Sequence, residues 1–299
     1  MTIPSTRPGP ASALALAVVT EPLRAAPAAP GAREENLRAL LQTAADGGVR
    51  AVVSRPDGDQ ERLLGHAWPF PSPFEVTVLT VASTEGLDRV EARARRSLER
   101  MGLPRAGVLL VSSAADLAGS EGRALWDRVQ GLKDRGLFKK VGFVAEVDDG
   151  PSLLARRLSP DVVRLPCSLL DQSASRSGEL EALNGLGVEL QVSSVFARGA
   201  LFGGAATPEA WHGRELDLSR ARRRLAEARV DPMQAALAYG LSLPGEPRLV
   251  VSVASAAEMR AILAAVHAPA PNVDWAELDL GRRTPGAEAP GARRITSAA

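Results

Sequence analysis

Short apolar runs alternate with amphipathic segments along most of the chain, and this pattern predicts strands separated by helices. The clearest unit is a strand at Gly107–Val111, a helix near Gly122–Arg135 and a second strand at Lys140–Ala145. Within the helix, Trp126 and Val129 are three positions apart, so they lie on one face and give the helix a side to bury. Similar strand–helix units recur from end to end of the chain.

Eight strands of this kind are predicted, in the order Ala13–Val19, Val49–Val53, Glu75–Val81, Gly107–Val111, Lys140–Ala145, Asp161–Leu165, Val188–Ser194 and Arg248–Val253. Eight strands alternating with helices over about 250 residues are typical of a (β/α)8 TIM barrel, a fold of the α/β class. An open doubly wound sheet is the alternative, but no Gly-x-Gly-x-x-Gly follows any of the strands. We therefore predict a single barrel domain over residues 13–267, with its chemistry in the loops at the carboxyl ends of the strands.

Both ends of the chain fall outside the repeating pattern. Residues 1–12 are rich in Pro, Ser and Gly and are predicted to be a disordered arm, and residues 268–299 a partly disordered C-terminal extension. The amino terminus also faintly resembles a signal peptide, because Arg7 and an apolar run precede Ala25–Ala26–Pro27. We favour a first strand, since the apolar run is short and follows two prolines. No stretch is long enough to span a membrane, and we expect a cytoplasmic protein.

Composition narrows the choice of partners. Lysine and arginine number 36 against 35 acidic residues, so neither nucleic acid nor a membrane surface is an expected partner. Cys167 is the only cysteine, which excludes a disulfide framework, and nothing in the sequence places His66, His212 and His267 together. We therefore expect no metal site. Without a nearby histidine, Cys167 is interpreted as a small buried hydrophobe in preference to a nucleophile.

Several stretches of the sequence resemble aldo-keto reductases. The segment RALWDRVQGLKDRGLFKKVGF at 123–143 is similar to the family's helix–strand signature, and DVVRLPCSLLDQ at 161–172 resembles the sixth strand and loop of its bacterial branch. SVFARGAL at 194–201 resembles the seventh strand and cofactor loop, and residues 251–259 resemble the eighth strand with its phosphate-facing helix. The resemblance implies the same barrel fold, hydride transfer from NADPH to a carbonyl, and a monomer or homodimer.

The resemblance also implies four catalytic residues: a tyrosine that acts as general acid, a lysine and an aspartate that lower its pKa, and a histidine that orients the substrate. The matching positions hold Ser54, Asp57, Leu79 and Ser112. A phenol with a pKa near ~10 protonates an alkoxide at neutral pH only when a close cation perturbs it. Tyr239, the only tyrosine, falls on a late helix, where we interpret it as packing. We hypothesise that the family's catalytic residues have been lost.

A site for NADP(H) is implied by the same resemblance, but several matching residues are altered. Val144 stands where polar groups hold the nicotinamide amide, Arg164 replaces a glutamine, and Glu258 faces the place of the cofactor's 2′-phosphate. A carboxylate there repels the phosphate, although the amino terminus of the last helix still offers free N–H groups. The candidate cofactor-binding residues are Ser194, Arg198, Gly199, Leu201, Ser252 and Ser255.

The sequence leaves three functions open. The first is a pseudoenzyme with a binding or regulatory role toward a small molecule or a protein partner. The second is an NADPH-dependent oxidoreductase with relocated acid–base groups, for which Asp57 is the candidate. The third is a non-redox enzyme that uses an anion site at Arg164 and Arg198. Loss of the catalytic positions together with the nicotinamide contacts favours the pseudoenzyme.

The candidate ligand site groups residues predicted to lie at the carboxyl edge of the strands, namely Arg164, Arg198, Glu146, Ser113 and Cys167. Two arginines at this edge would hold an anion, with serine hydroxyls as hydrogen-bond donors. The simpler interpretation is that both arginines pair with acidic neighbours such as Glu146 or point to solvent.

Overall fold

Eight parallel strands close into a barrel in chain order, with β1 hydrogen-bonded to β8. The computed structural model describes residues 9–18, 31–203 and 209–281. Its strands are β1 Leu14–Val18, β2 Ala51–Ser54, β3 Glu75–Leu79, β4 Ala106–Val111, β5 Phe138–Val144, β6 Val162–Pro166, β7 Glu189–Ser193 and β8 Arg248–Val253. The predicted (β/α)8 barrel in a single domain is confirmed.

Eleven α-helices in the described ranges connect and surround the strands. They are α1 Ala32–Asp46, α2 Gly58–Ala67, α3 Leu87–Arg100, α4 Ala115–Ala118, α5 Gly122–Asp134, α6 Pro151–Leu158, α7 Ser173–Arg176, α8 Glu179–Gly185, α9 Glu215–Glu227, α10 Pro232–Ser242 and α11 Ala256–His267. None of these helices is long and apolar enough to cross a membrane.

The helix α5 shows how the sequence pattern produces the outer layer. It buries Trp126, Val129 and Leu132 on the face predicted from their spacing. The indole Nε1 of Trp126 donates a hydrogen bond to the carbonyl oxygen of Leu158 at 3.0 Å, so the one polar atom of this ring is satisfied within the core. Gly136 follows the helix with a φ of 74°, a left-handed conformation that glycine adopts at little cost.

The inside of the barrel is filled by alternate strand residues. Ion pairs close its amino-terminal end, where Glu75 pairs with Arg248 at 3.0 Å and Lys140 pairs with Glu189. Small and medium apolar side chains fill much of the interior, among them Ala15, Ala51, Val53, Val108, Leu110 and Val162. Because several of these side chains are small, the barrel keeps open space toward its carboxyl-terminal end.

Short segments at both ends of the described barrel pack against it. A 3₁₀ turn at Pro10–Ala13 buries Ala11 directly before β1. Past residue 267, a turn at Trp275–Leu278 buries Leu278 and packs the extension onto the barrel. Apolar side chains in both segments explain the order, since burying them offsets the entropy lost. The predictions for residues 1–8, 19–30 and 282–299, which include the signal-peptide cleavage segment, lie outside the described residues.

Candidate functional site

A cavity of about 840 Å³ opens at the carboxyl ends of the strands. Strand ends or following loops from the whole circumference of the barrel line it, contributing Ala17, Val53, Arg55, Pro56, Leu79, Thr80, Ser112, Val144, Glu146, Arg164, Pro166, Ser193, Ser194, Val195, Phe196, Arg198, Gly199, Phe202, Val250 and Ser252. This is the end of a parallel barrel at which ligands bind, and the volume is that of a small-molecule site.

Much of the cavity wall is apolar. Val53, Leu79, Val144 and Val250 form it, each from a different strand of the barrel. Apolar side chains neither solvate a charged group nor transfer a proton to it. The wall is therefore suited to contact with the apolar part of a ligand.

Arg164 is the most buried charged residue of the cavity lining, with only 5% of its surface exposed. Its Nε and Nη2 both donate to Oε1 of Gln191, at 3.1 and 2.5 Å. The amide nitrogen of Gln191 in turn approaches the hydroxyl of Thr77 at 3.4 Å. Gln191 and Thr77 are also buried, so the guanidinium is held by a neutral polar chain inside the barrel.

No carboxylate among the described residues forms an ion pair with Arg164, contrary to the simpler interpretation of this residue. Burial, and secondarily the charge of Arg55, lower the pKa of Arg164 to about 10. The guanidinium is still protonated at neutral pH, because that value lies well above it. Arg164 is therefore a buried cation whose environment supplies hydrogen bonds but no negative charge.

The loop after β7 forms one side of the cavity mouth and has an unusual backbone. Ser194, Ala197 and Arg198 have φ values of 59°, 49° and 56°, which place three non-glycine residues in the left-handed region. The surroundings hold this conformation in place, since the indole Nε1 of Trp211 donates to the carbonyl of Ala197 at 3.1 Å. The guanidinium of Arg222 donates hydrogen bonds to the carbonyl oxygen of Ala200, three residues further along the chain. The fixed loop presents Arg198, exposed, at the mouth.

Eight of the residues singled out from the sequence line this one cavity. They are Leu79, Ser112, Glu146, Arg164, Ser194, Arg198, Gly199 and Ser252. They come from six separated strand ends or loops, so the barrel topology, and not local sequence, brings them together.

Other predicted residues lie outside the cavity lining and have structural contacts. Ser54 is buried and its hydroxyl donates to the carbonyl of Arg55 at 3.2 Å. Asp57 is exposed and caps α2, accepting the N–H of Asp59. Ser113 accepts the N–H of Ala115 in the turn before α4. Leu201, a predicted cofactor-binding residue, is part of the hydrophobic core.

Cys167 is buried beside the only tyrosine of the chain. Its Sγ lies 3.7 Å from the hydroxyl of Tyr239. Burial raises the pKa of the Cys167 thiol to about 11 and also raises the pKa of Tyr239. Both groups are protonated at neutral pH, and the ring of Tyr239 packs edge-on against Trp275. These contacts are those of a packed core.

The family of the chain follows from its sequence. The sequence model of the Aldo/keto reductase family matches residues 81–280, about two thirds of the chain. The chain belongs to the aldo/keto reductase family. No curated protein sequence matches it.

Solved structures of aldo/keto reductases share the fold. The chain is similar to aldo-keto reductase AKR11C1 from Bacillus halodurans in its holo form, with a TM-score of 0.66 and 17% identity over 82% of this chain and 85% of that one. It is also similar to the glycerol dehydrogenase AKR11B4 from Gluconobacter oxydans, with a TM-score of 0.69 and 14% identity over 89% of this chain and 88% of that one. At these identities the likeness shows a common fold.

At the cofactor site that the family resemblance implies, several side chains of this aldo/keto reductase family member already have contacts within the chain. At the amino terminus of α11, Ser255 accepts the N–H of Glu258 at 3.2 Å, and the Glu258 carboxylate accepts the N–H of Ala254 at 2.8 Å. The helix end that would receive a phosphate is therefore already capped by a hydroxyl and a negative charge. At the place implied for the nicotinamide amide, Val144 offers an apolar contact. Arg164 offers a guanidinium that is already hydrogen-bonded to Gln191.

Sequence reasoning missed three residues of the site, namely Arg55, Gln191 and Thr77. Gln191 is a polar residue within an apolar strand, and its alternation with Ser193 marks an inward position. Arg55 directly follows the carboxyl end of β2, and this position places it in the cavity lining. Across the described ranges, no three His, Cys, Asp or Glu side chains are grouped to hold a metal ion.

Proposed function

We propose that this aldo/keto reductase family member is a pseudoenzyme that binds a ligand in the barrel cavity and does not reduce carbonyl compounds by the family's chemistry. The observation that supports this is the placement of its tyrosine and lysines. Tyr239 is packed against Cys167, outside the cavity lining. A general acid has to be within hydrogen-bond reach of the atom that it protonates.

The lysines also lie outside the cavity lining. Lys133, Lys139 and Lys140 are the only lysines in the sequence. Lys133 pairs with Asp161, just before β6, at 2.7 Å, and the other two lie near the start of β5. The amino-terminal ends of the strands lie at the opposite end of the barrel from the cavity. No phenol and ammonium pair of the kind that the family resemblance implies can therefore form at the cavity.

The hydroxyl groups that line the cavity do not replace such an acid. Ser112, Ser194 and Ser252 are alcohols, and an alcohol is a weaker acid than the phenol of a tyrosine. Glu146 supplies a carboxyl group at the mouth. A relocated acid in an NADPH-dependent oxidoreductase would have to be this group, since Asp57 caps α2 outside the cavity lining.

The proposal is tested by following the absorbance of NADPH with a panel of aliphatic and aromatic aldehydes and ketones. We expect no NADPH oxidation above the rate measured without protein. The control variant is Glu146→Gln, which removes the carboxyl group from the cavity lining and keeps the size of the side chain. Turnover by the native chain would contradict the proposal, and its loss in the variant would identify Glu146 as the relocated acid.

A further inference from the structure

We propose that the cavity binds a small organic acid, with its carboxylate on Arg164 and its apolar body against the wall formed by Val53, Leu79, Val144 and Val250. The inference rests on the proposed function, because it requires a cavity that serves a ligand other than the nucleotide cofactor. It follows from three features of the described residues: an uncompensated buried charge, an unused part of its guanidinium and an apolar wall.

The first feature is the missing counter-charge of Arg164. Burying a cation is costly unless a negative group accompanies it. Gln191 provides one neutral oxygen, and the neighbouring charge of Arg55 opposes the burial further. An anion in the cavity would supply the missing charge in a region shielded from water, where charge-assisted hydrogen bonds are strongest.

The second feature is the geometry of the guanidinium. Its Nε–H and one N–H of Nη2 point to the same oxygen of Gln191, so that edge is occupied. Among the described residues, Nη1 has no hydrogen-bond partner. The Nη1 and Nη2 edge is therefore left for a second acceptor, and it matches the two oxygens of a carboxylate. The amide of Gln191 holds the fork in one orientation before the ligand arrives, which lowers the entropy lost on binding.

The third feature is the combination of apolar and charged side chains that line the cavity together with Arg164. The four-residue apolar wall lines the same cavity as Arg164, and Phe196 and Phe202, also in the lining, pack together with ring centroids 5.4 Å apart. An inorganic phosphate would leave this wall without a partner, whereas an alkyl or aryl group attached to a carboxylate would cover it. Arg55 and Arg198 add positive charge at the mouth, which favours the approach of anions.

The test compares sodium octanoate with 1-octanol and with inorganic phosphate as probes, by titration calorimetry on the full chain. We expect octanoate to bind at least 10-fold more tightly than either of the other two probes, as one well-placed ionic contact is typically worth that factor. Equal binding of octanoate and octanol would overturn the role of Arg164. Tighter binding of phosphate than of octanoate would overturn the role of the apolar wall, and no octanoate binding would overturn the inference as a whole.

Two variants test the residue itself. Gln191→Glu is nearly isosteric and places a carboxylate beside Arg164, so we expect at least a 10-fold loss of octanoate binding together with a higher melting temperature. Arg164→Met removes the charge and should abolish the preference for octanoate over octanol. Octanoate binding that is unchanged in a folded Gln191→Glu protein would contradict the inference even if Arg164→Met does not fold.

The two proposals fail in different ways. NADPH-dependent turnover would refute the proposed function, and with it the premise of this inference. A protein that neither oxidises NADPH nor binds octanoate would refute the inference alone and leave a pseudoenzyme whose ligand has a different chemistry.

Discussion

Two buried charges of this chain have opposite surroundings, and the contrast separates a structural residue from the residue that we propose binds a ligand. Glu61 on α2 is fully buried and pairs with Arg93 at 3.0 Å and with Arg100 at 3.2 Å, both on α3. Arg164 is nearly as buried but has only the neutral amide of Gln191. A charge matched within the fold stabilises that fold, whereas an unmatched charge that faces a cavity is available to a ligand.

The structural role of Glu61 is open to measurement. Glu61→Gln removes the negative charge that two partly buried arginines share, so we expect a loss of about 2 to 3 kcal/mol in the free energy of unfolding. The matched control is Glu85→Gln, which breaks the exposed pair with Arg89 and should cost less than about 1 kcal/mol. Urea denaturation of both variants checks this, and equal losses would contradict the assignment.

At the scale of elements, Gly65 permits the helices α2 and α3 to pack closely. A Cβ atom at Gly65 of α2 would lie 2.6 Å from the carbonyl oxygen of Arg100 at the end of α3. This atom belongs to the backbone and has no rotamer by which to move away. The same two helices share the Glu61 ion pairs, so packing and charge fix one arrangement.

This close approach predicts opposite effects for two glycine substitutions in helices. Gly65→Ala should destabilise the protein by about 1 to 3 kcal/mol, because α2 and α3 would have to separate. Gly131→Ala in α5 meets no neighbouring atom and should stabilise it by about 0.5 to 1 kcal/mol through the restricted unfolded chain. Thermal unfolding would show a lower and a higher midpoint respectively, and two shifts of the same sign would contradict the packing described.

The order of strands and helices could be predicted from the sequence, but the first and last residues of some strands were predicted wrongly. The strand predicted to begin at Lys140 begins at Phe138, and the predicted final residue Ser194 of β7 already belongs to the following loop. The left-handed φ of Ser194 explains the second difference, since it ends the extended backbone. Apolar periodicity locates an element, but its last residue depends on hydrogen bonds to neighbouring strands that are remote in the sequence.

At the scale of the whole molecule, eight strand–helix repeats predicted the barrel, and the topology then brought the separated residues of the cavity together. Arg164 and Arg198 could be placed at the carboxyl edge from their positions after apolar runs. Gln191 could not be recognised as the partner of Arg164. That contact depends on the register of β6 against β7, where Arg164 lies opposite Gln191. The loss of the family's reductase chemistry is a proposal at this scale, since it concerns every tyrosine, lysine and histidine of the chain.

The most direct test of this proposal is a calorimetric titration of the full chain with NADPH, accompanied by thermal unfolding with and without the cofactor. Because Glu258 and Ser255 cap the helix end implied for phosphate, and Val144 replaces a polar contact, we expect no saturable binding and no change in melting temperature at millimolar NADPH. Saturable binding at micromolar NADPH, with a matching rise in melting temperature, would contradict this account of the cofactor site and show that the cavity still serves the family's cofactor.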